Sequence, residues 1–338
     1  MKKVLVTGAG GFIGSHVVDQ LLARGDAVRC LVRSTTARTW LAERNIELAE
    51  GDLTRPDTLP AAVVGCDAVI HLAGQTRALT YEQFEQVNGL GVRNITQACA
   101  AQGNPPVLVL VSSLAAAGPA ENGRPRVESD VPRPVSNYGR SKLAGEREAA
   151  ALAGQVPISI LRPPIVIGPR DRMSLELFRP IRRFRVHVVP GFRTRRFSMI
   201  HAADLADALL RVVDRGARLP GPAAAGSGGE GIYYAAADEQ PTYREMGRLL
   251  GRAIDRPYAL RVHVPEPLVW TIGGISDLTG RLLKRPAALS IDKVREAVAG
   301  DWICNDTRIR CELGFTPAKS LPERVQETAQ WYREAGWL

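Results

Sequence analysis

The 338-residue chain has no apolar run approaching the ~20 residues of a bilayer-spanning helix, so no membrane span is expected. Cysteine is sparse. Cys30, Cys66, Cys99, Cys304 and Cys311 are odd in number and form no C-x-x-C pair, which argues against a disulfide framework or a zinc site. They read as thiols of a reducing compartment. Aromatic residues do not interleave with basic ones, so no nucleic-acid partner is expected. His71 and His201 have no companions at metal-ligand spacing; no metal is expected, and both read as packed structural residues. Met1-Lys2-Lys3 opens like a secretory signal, but a glycine-rich turn follows too soon, so the expected location is the cytoplasm. No internal repeat is visible.

What is present begins with that turn. Val4-Leu5-Val6-Thr7 runs into Gly8-Ala9-Gly10-Gly11-Phe12-Ile13-Gly14, and an amphipathic helix from about Phe12 to Ala23, ended by Gly25, follows. Three glycines so spaced between strand and helix make a seat for a dinucleotide pyrophosphate. Gly8 permits the tight turn, Gly11 lets phosphates approach the backbone, and Gly14 lets helix and strand pack closely. The helix N-terminus, opened by Phe12 and Ile13, then faces the anion.

Apolar, β-branched runs recur at 4–6, 28–32, 46–49, 68–72, 107–111 and 158–161, with helical patterns between them, notably 81–101 and 136–153. This alternation predicts an α/β fold, a parallel sheet covered by helices on both faces. Residues 1–168 form the expected nucleotide-binding domain, rejoined by segments near 195–215 and 230–240. Residues 169–338 form a smaller region shaping a substrate site. Residues 219–231 read as a flexible surface loop, 265–283 as an apolar helical stretch and 320–338 as a final amphipathic helix.

Charge is uneven. Of the net +9, the segment from Arg162 to Arg196 carries +8, ten arginines against Asp171 and Glu176. This is either a cationic face for an anionic substrate, a phosphorylated cofactor or a membrane surface, or a solvated face in an arginine-preferring sequence. The second strand ends Val32-Arg33-Ser34, with no carboxylate to take the ribose hydroxyls of NAD. Arg33 stands where that acid would be and can pair with a 2′-phosphate, and Arg38 is a second candidate cation. NADP(H) is therefore favoured over NAD(H). The alternative is an Arg33 that stacks on adenine while NAD still binds.

Tyr138 and Lys142 lie four apart, hence on one helical face. A cation beside a phenol lowers its pKa from about 10, and a phenol so tuned exchanges protons with an alcohol or carbonyl oxygen.

Together these motifs resemble the extended short-chain dehydrogenases/reductases, the NAD-dependent epimerase/dehydratase family. The shared elements are Thr7-Gly8-x-x-Gly11-x-x-Gly14 and Tyr138-x-x-x-Lys142, with Ser112-Ser113 following a strand about 25 residues upstream. The resemblance implies a doubly wound Rossmann sheet and a triad. Ser113 would bond the reacting oxygen, Tyr138 would exchange its proton and Lys142 would hold the nicotinamide ribose, with Ser112 as a structural neighbour. It also implies that Asp52, followed by Leu53, touches adenine. Leu72-Ala73-Gly74 after His71 would line the cofactor, as would Pro163-Pro164-Ile165 after Arg162, and Asn88 would belong to a conserved-type helix motif. Relatives often form homodimers through the two long helices.

Departures narrow the expectation. Leu114-Ala115 replaces the Asp-Glu pair of the sugar-nucleotide dehydratases, and Ile165 replaces an Asn of the epimerases. The chain resembles more the dihydroflavonol-4-reductase and 3β-hydroxysteroid dehydrogenase-like members. The expected function is NAD(P)(H)-dependent interconversion of a secondary alcohol and a ketone on an apolar, non-nucleotide substrate. A sugar or sugar-nucleotide epimerase and a non-catalytic cofactor-binding assembly protein are the alternatives.

Overall fold

The computed structural model describes residues 1–35, 39–221, 228–287 and 289–338. Its first half runs β1 (Lys3–Thr7), α1 (Phe12–Ala23), β2 (Ala27–Val32), β3 (Glu47–Glu50), α2 (Leu59–Val63), β4 (Ala68–His71), α3 (Tyr81–Glu85), α4 (Gly91–Ala100), β5 (Val107–Val111), α5 (Leu114–Ala117), α6 (Asn137–Ala150) and β6 (Ile158–Leu161). The second half adds β7 (Ile165–Ile167), α7 (Arg172–Phe184), β8 (Val186–Pro190), β9 (Met199–His201), α8 (Ala202–Arg215), β10 (Ile232–Tyr233), α9 (Tyr243–Ala253), β11 (Leu260–Val264), α10 (Glu266–Leu282), α11 (Ile291–Val298), α12 (Thr307–Leu313) and α13 (Leu321–Glu334).

Seven strands form one sheet in the order β3-β2-β1-β4-β5-β6-β10, and every pair in it is parallel. The chain starts in the middle, winds out to β3, then returns to add β4 beside β1. This is the expected doubly wound Rossmann sheet, and its reversal between β1 and β4 opens a crevice at the carboxyl ends of the strands. The central strands are buried along almost their whole length, as continuous apolar runs require. One face packs under α1 and α8 through Val17, Val18, Leu21, Leu205, Leu209 and Val212. The other packs under α2, α4 and α6 through Leu59, Val63, Val92, Ile95 and Ala149.

Two details differ from the sequence pattern. The third strand is shifted one residue, because the Ile46 N–H is spent on the Arg44 carbonyl at 2.9 Å. It is also a largely exposed edge strand. The 81–101 pattern is not one regular helix: a π-helical turn, Gln86–Leu90, separates α3 from α4. Such a turn re-aims a side chain, and here Asn88 is buried.

Beyond β6 the chain leaves and re-enters the sheet. β7 pairs with β9, α8 covers the sheet beside α1, and β10 extends it next to β6. His201 caps α8, its Nδ1 accepting the Ala203 N–H at 3.2 Å. Asp204, in the first turn of α8, pairs with Arg324 of α13 through bonds of 2.9 and 2.5 Å, both groups buried. The four cysteines Cys30, Cys66, Cys99 and Cys304 are buried free thiols.

The buried histidines make stability depend on pH. Burial, reinforced by the Lys142 charge, drops His71 to about 3. Burial, then the Arg324 charge, does the same to His201. An unfolded histidine titrates near 6.5. The unfolded chain therefore takes up protons that the native one refuses, and the contribution, complete above pH 6.5, is lost as pH falls towards 3. The limiting slope is about 1.4 kcal/mol per pH unit for each histidine. His201→Asn keeps a capping side chain without a titrating ring. Denaturant melts between pH 6.5 and 4.5 are expected to show a shallower loss of stability in that variant; equal slopes would contradict the assignment.

Candidate active site

The turn after β1 is shaped by close approach. Gly8 has φ +71°, and a Cβ there would lie 2.8 Å from the Ala73 nitrogen. A Cβ on Gly14 would lie 2.2 Å from the Gly8 oxygen. Larger residues at either position would force apart the turn, α1 and the end of β4. Gly11 is the N-cap of α1 and makes no side-chain capping bond. The first-turn N–H groups, at Phe12, Ile13 and Gly14, thus have no intrahelical acceptor and suit an anion. Thr7 Oγ1 accepts the Ala73 N–H at 3.1 Å and meets His71 Nδ1 at 2.9 Å. His71 is buried and its Nε2 has no hydrogen-bond partner among the described residues.

Leu72, Ala73 and Gly74 continue from β4 to the third side of the crevice. A Cβ on Gly74 would be 3.1 Å from Asn88 Oδ1 and 3.8 Å from Lys142 Nζ. Asn88 holds this loop: its Oδ1 accepts the Gln75 N–H at 2.7 Å, while its Nδ2 donates to the Gln75 carbonyl and to Ser141 Oγ, each at 2.9 Å. The π-helical turn therefore ties the β4 loop to α6.

Ser113, Tyr138 and Lys142 meet at the carboxyl end of β5. Ser113 Oγ accepts the Ala115 N–H at 3.1 Å and also engages the Tyr138 phenol. Ser112 is turned into the core, where its hydroxyl donates to Glu146. Lys142 is buried and its Nζ donates to the Val111 carbonyl at 2.8 Å. Burial brings Lys142 down to about 8, against the support of the Glu146 carboxylate.

The expectation of an acidified phenol does not hold in this arrangement. Tyr138 is pushed up to about 12, first by burial and then by the Glu296 carboxylate, with the Ser113 hydrogen bond working the other way. The Lys142 ammonium is directed at the Val111 carbonyl, so its charge does not offset the burial. The phenol is held protonated at neutral pH.

Glu296 belongs to α11, an element that no sequence pattern connected with the site. The Asp292 carboxylate accepts the Asn137 and Tyr138 N–H groups at 2.6 and 3.1 Å, so it caps α6. Ser136 Oγ donates to Glu296 at 2.6 Å. Lys293 pairs with Glu296 at 2.8 Å and places its Nζ 5.1 Å from the Tyr138 ring centroid. The other unforeseen pair is Glu146 with Arg162, buried and joined by bonds of 2.9 and 2.6 Å. One signal was legible: Glu146 stands four residues after Lys142, on the same helical face.

Arg33 is exposed just past β2, beside the turn that follows β3. Burial pushes the Asp52 carboxyl up, but its Thr54 hydrogen bonds and the Arg33 charge bring it below its ordinary value. Asp52 Oδ1 accepts the Thr54 N–H and the Thr54 hydroxyl, each at 2.9 Å. Leu53 is buried beneath them. Arg38 lies outside the described residues. The Pro163 carbonyl accepts the Leu114 N–H at 2.9 Å, Pro164 follows, and Ile165, exposed, opens β7. The arginine-rich segment is not a uniform cationic face. Arg162 is buried on Glu146, Arg195 is buried on Glu266 at 2.6 Å, and Arg170 pairs with Asp19 at 2.8 Å.

Comparison with known proteins agrees with this geometry. Residues 4–224 match the family model described as the NAD dependent epimerase/dehydratase family. The chain is 32% identical to a ceramide reductase of Caulobacter vibrioides, covering 99% of this chain and 96% of that protein. It is 28% identical to a putative dihydroflavonol 4-reductase of a Synechocystis species, covering 98% and 95%. Among solved structures, a UDP-glucose 4-epimerase of Thermotoga maritima superposes with a TM-score of 0.76 over 98% of this chain and 99% of that one. At 20% identity this supports the fold alone. The chain belongs to the NAD dependent epimerase/dehydratase family and is an oxidoreductase of that nicotinamide-dependent kind.

Proposed function

We propose that the protein reduces a ketone to a secondary alcohol, or runs the reverse, on an apolar, non-nucleotide substrate, with NADP(H) preferred. The observation that carries this reading is the convergence of Ser113, Tyr138 and Lys142 beside the loop that leaves β4, with Gly74 next to the Lys142 ammonium. The names of the relatives, a ceramide reductase and a putative dihydroflavonol reductase, support carbonyl chemistry on an apolar skeleton.

The turn and helix start at Gly8, Gly11, Phe12, Ile13 and Gly14 suit a pyrophosphate. Arg33 suits a 2′-phosphate, and Asp52 and Leu53 lie where adenine would rest. Leu72, Ala73, Gly74, Pro163, Pro164 and Ile165 would border the nicotinamide half, and Lys142 its ribose. When bound, the nicotinamide supplies or accepts the hydride. In the reductive direction Tyr138 gives its proton to the oxygen, and Ser113 donates a hydrogen bond to the negative charge developing there. A phenol held protonated is ready for that direction. Oxidation needs it deprotonated. In the same reading residues 169–338 carry substrate specificity, and the chain pairs as a homodimer through the helical stretch 81–101, which carries Asn88, and α6, which carries Tyr138.

Tyr138→Phe is expected to lower turnover by at least about 100-fold with little change in cofactor affinity by fluorescence titration, whereas Lys142→Ala should damage both. Wild-type turnover in Tyr138→Phe would end the mechanism. Because Tyr138 is pushed up, alcohol oxidation is expected to climb from pH 7 to pH 10 while ketone reduction stays level over the lower part of that range. Glu296→Gln removes a charge that raises the phenol, so its oxidation limb should move to lower pH; an unmoved limb would separate Glu296 from the phenol's titration. Arg33→Asp is expected to invert the ratio of kcat/KM for NADPH over NADH. A retained preference for the phosphorylated form would show that Arg33 does not read it.

A further inference from the structure

Helix α10 is turned inside out. Its buried residues are Val269, Gly273 and Gly280. The small residues let α11 approach, since a Cβ on Gly273 would meet Val294 at 2.5 Å. Leu268, Ile272, Ile275, Leu278 and Leu282, spaced by four, three, three and four, share the opposite face and are 44–75% exposed. An amphipathic helix of a globular protein normally aims such a stripe at the core. The sheet before it behaves alike. Leu260 and Val262 of β11 share a face with Val188 of β8, through the register Val262↔Val188, and all three are exposed.

Cations accompany this apolar surface. Lys284 and Arg285 are exposed at the end of α10, just after Arg281, which pairs with Asp277 at 3.0 Å, and no carboxylate occurs between Leu278 and Ile291. The segment 177–200, which contains β8, has seven arginines and no carboxylate. Arg182, Arg183, Arg185 and Arg193 of these are exposed, while Arg179 pairs with Glu176 at 2.5 Å.

We infer that α10 and the β8–β11 sheet form a docking surface for an anionic lipid bilayer. α10 would lie in the interfacial plane, its leucines and isoleucines at the boundary of headgroups and acyl chains and its cations on the phosphates. No described helix is long and apolar enough to cross a membrane, so the contact is peripheral. A second copy of the chain is a poorer occupant. A two-fold interface sets each patch against itself, which would bring Lys284, Arg285 and the β8 arginines against the same cations, the adjoining Asp277 and Glu176 being engaged by Arg281 and Arg179. The apolar stripe of α10 alone extends about 21 Å, and β11, with its exposed Leu260 and Val262, precedes it directly in the chain. Such a spread suits a bilayer surface better than a single protein anchor. α11 packs on the buried face of α10 and carries Lys293 over the Tyr138 ring, so docking would leave α10 between the membrane and the helix beside the phenol. The docking stands whether or not the redox reading above is right.

Vesicle flotation tests it, with phosphatidylcholine vesicles that contain or lack phosphatidylglycerol. The wild type is expected to float with phosphatidylglycerol vesicles and to be released by high salt. Combined Ile272→Asp, Ile275→Asp and Leu278→Asp should weaken binding to them by about tenfold or more. Lys284→Glu with Arg285→Glu should weaken it by about tenfold while retaining the apolar face. Thermal melts and light-scattering mass on the same samples control for folding and assembly, and the charge pair remains informative if the triple variant does not fold. Wild type that stays unbound, variants that float as well as it does, or a change of native mass without any vesicle binding would each overturn the proposal. The last outcome would assign the surface to a second copy, and capture by an acidic protein without vesicle binding would assign it to that partner.

Discussion

The buried pair of Glu146 and Arg162 holds the site together. Arg162 ends β6 and Glu146 lies on α6, and two hydrogen bonds of 2.9 and 2.6 Å join them. Burial works against the guanidinium, but the Glu146 carboxylate more than offsets it and keeps Arg162 firmly charged. Ser112, just past β5, donates to the same carboxylate, and Arg162 reaches the Tyr234 hydroxyl beyond β10 at 3.3 Å. The carboxyl ends of three neighbouring strands are thereby pinned to the helix that carries Tyr138 and Lys142. Losing either partner would leave an uncompensated buried charge, at a cost of about 3–5 kcal/mol. The geometry of the phenol and the ammonium follows from this pin together with the Asn88 network on the other side of α6.

Around that frame burial disfavours the charged form of two titratable groups. Burial lowers Lys142 to about 8 and raises Tyr138 to about 12. Lys142 spends its proton on the Val111 carbonyl, and α11 brings Glu296 near the phenol and Asp292 onto the N-terminus of its helix. The site rests as a neutral acid under a charged cover.

Legibility differed by the range of the forces involved. The glycine turn, the six strands of the first half and the Tyr138–Lys142 spacing could all be approached from local pattern, because backbone sterics and helical periodicity act over a few residues; the separate places of Ser112 and Ser113 came only from the family resemblance. His201 as a strand-to-helix junction residue was legible in the same way. The α11 cover was not. Asp292 meets the N–H of Tyr138 across 154 residues of chain, and nothing in either segment marks the other. The arginine-rich stretch misled for a related reason: Arg162 and Arg195 are cancelled by Glu146 and by the distant Glu266. The 265–283 stretch was legible as an apolar helix, yet periodicity alone does not say which way a stripe faces.

The amino-acid sequence determined the elements, the winding of the sheet, the close-packed glycine turn and the placing of Tyr138 and Lys142 on one helical face. These depend on glycine conformational freedom, apolar periodicity and spacing along a single helix. Only the tertiary structure decided the protonation state of the phenol, the partner of each buried arginine and the outward face of α10. Each of these depends on desolvation and on charges carried in by segments far away in the chain, which no local pattern encodes.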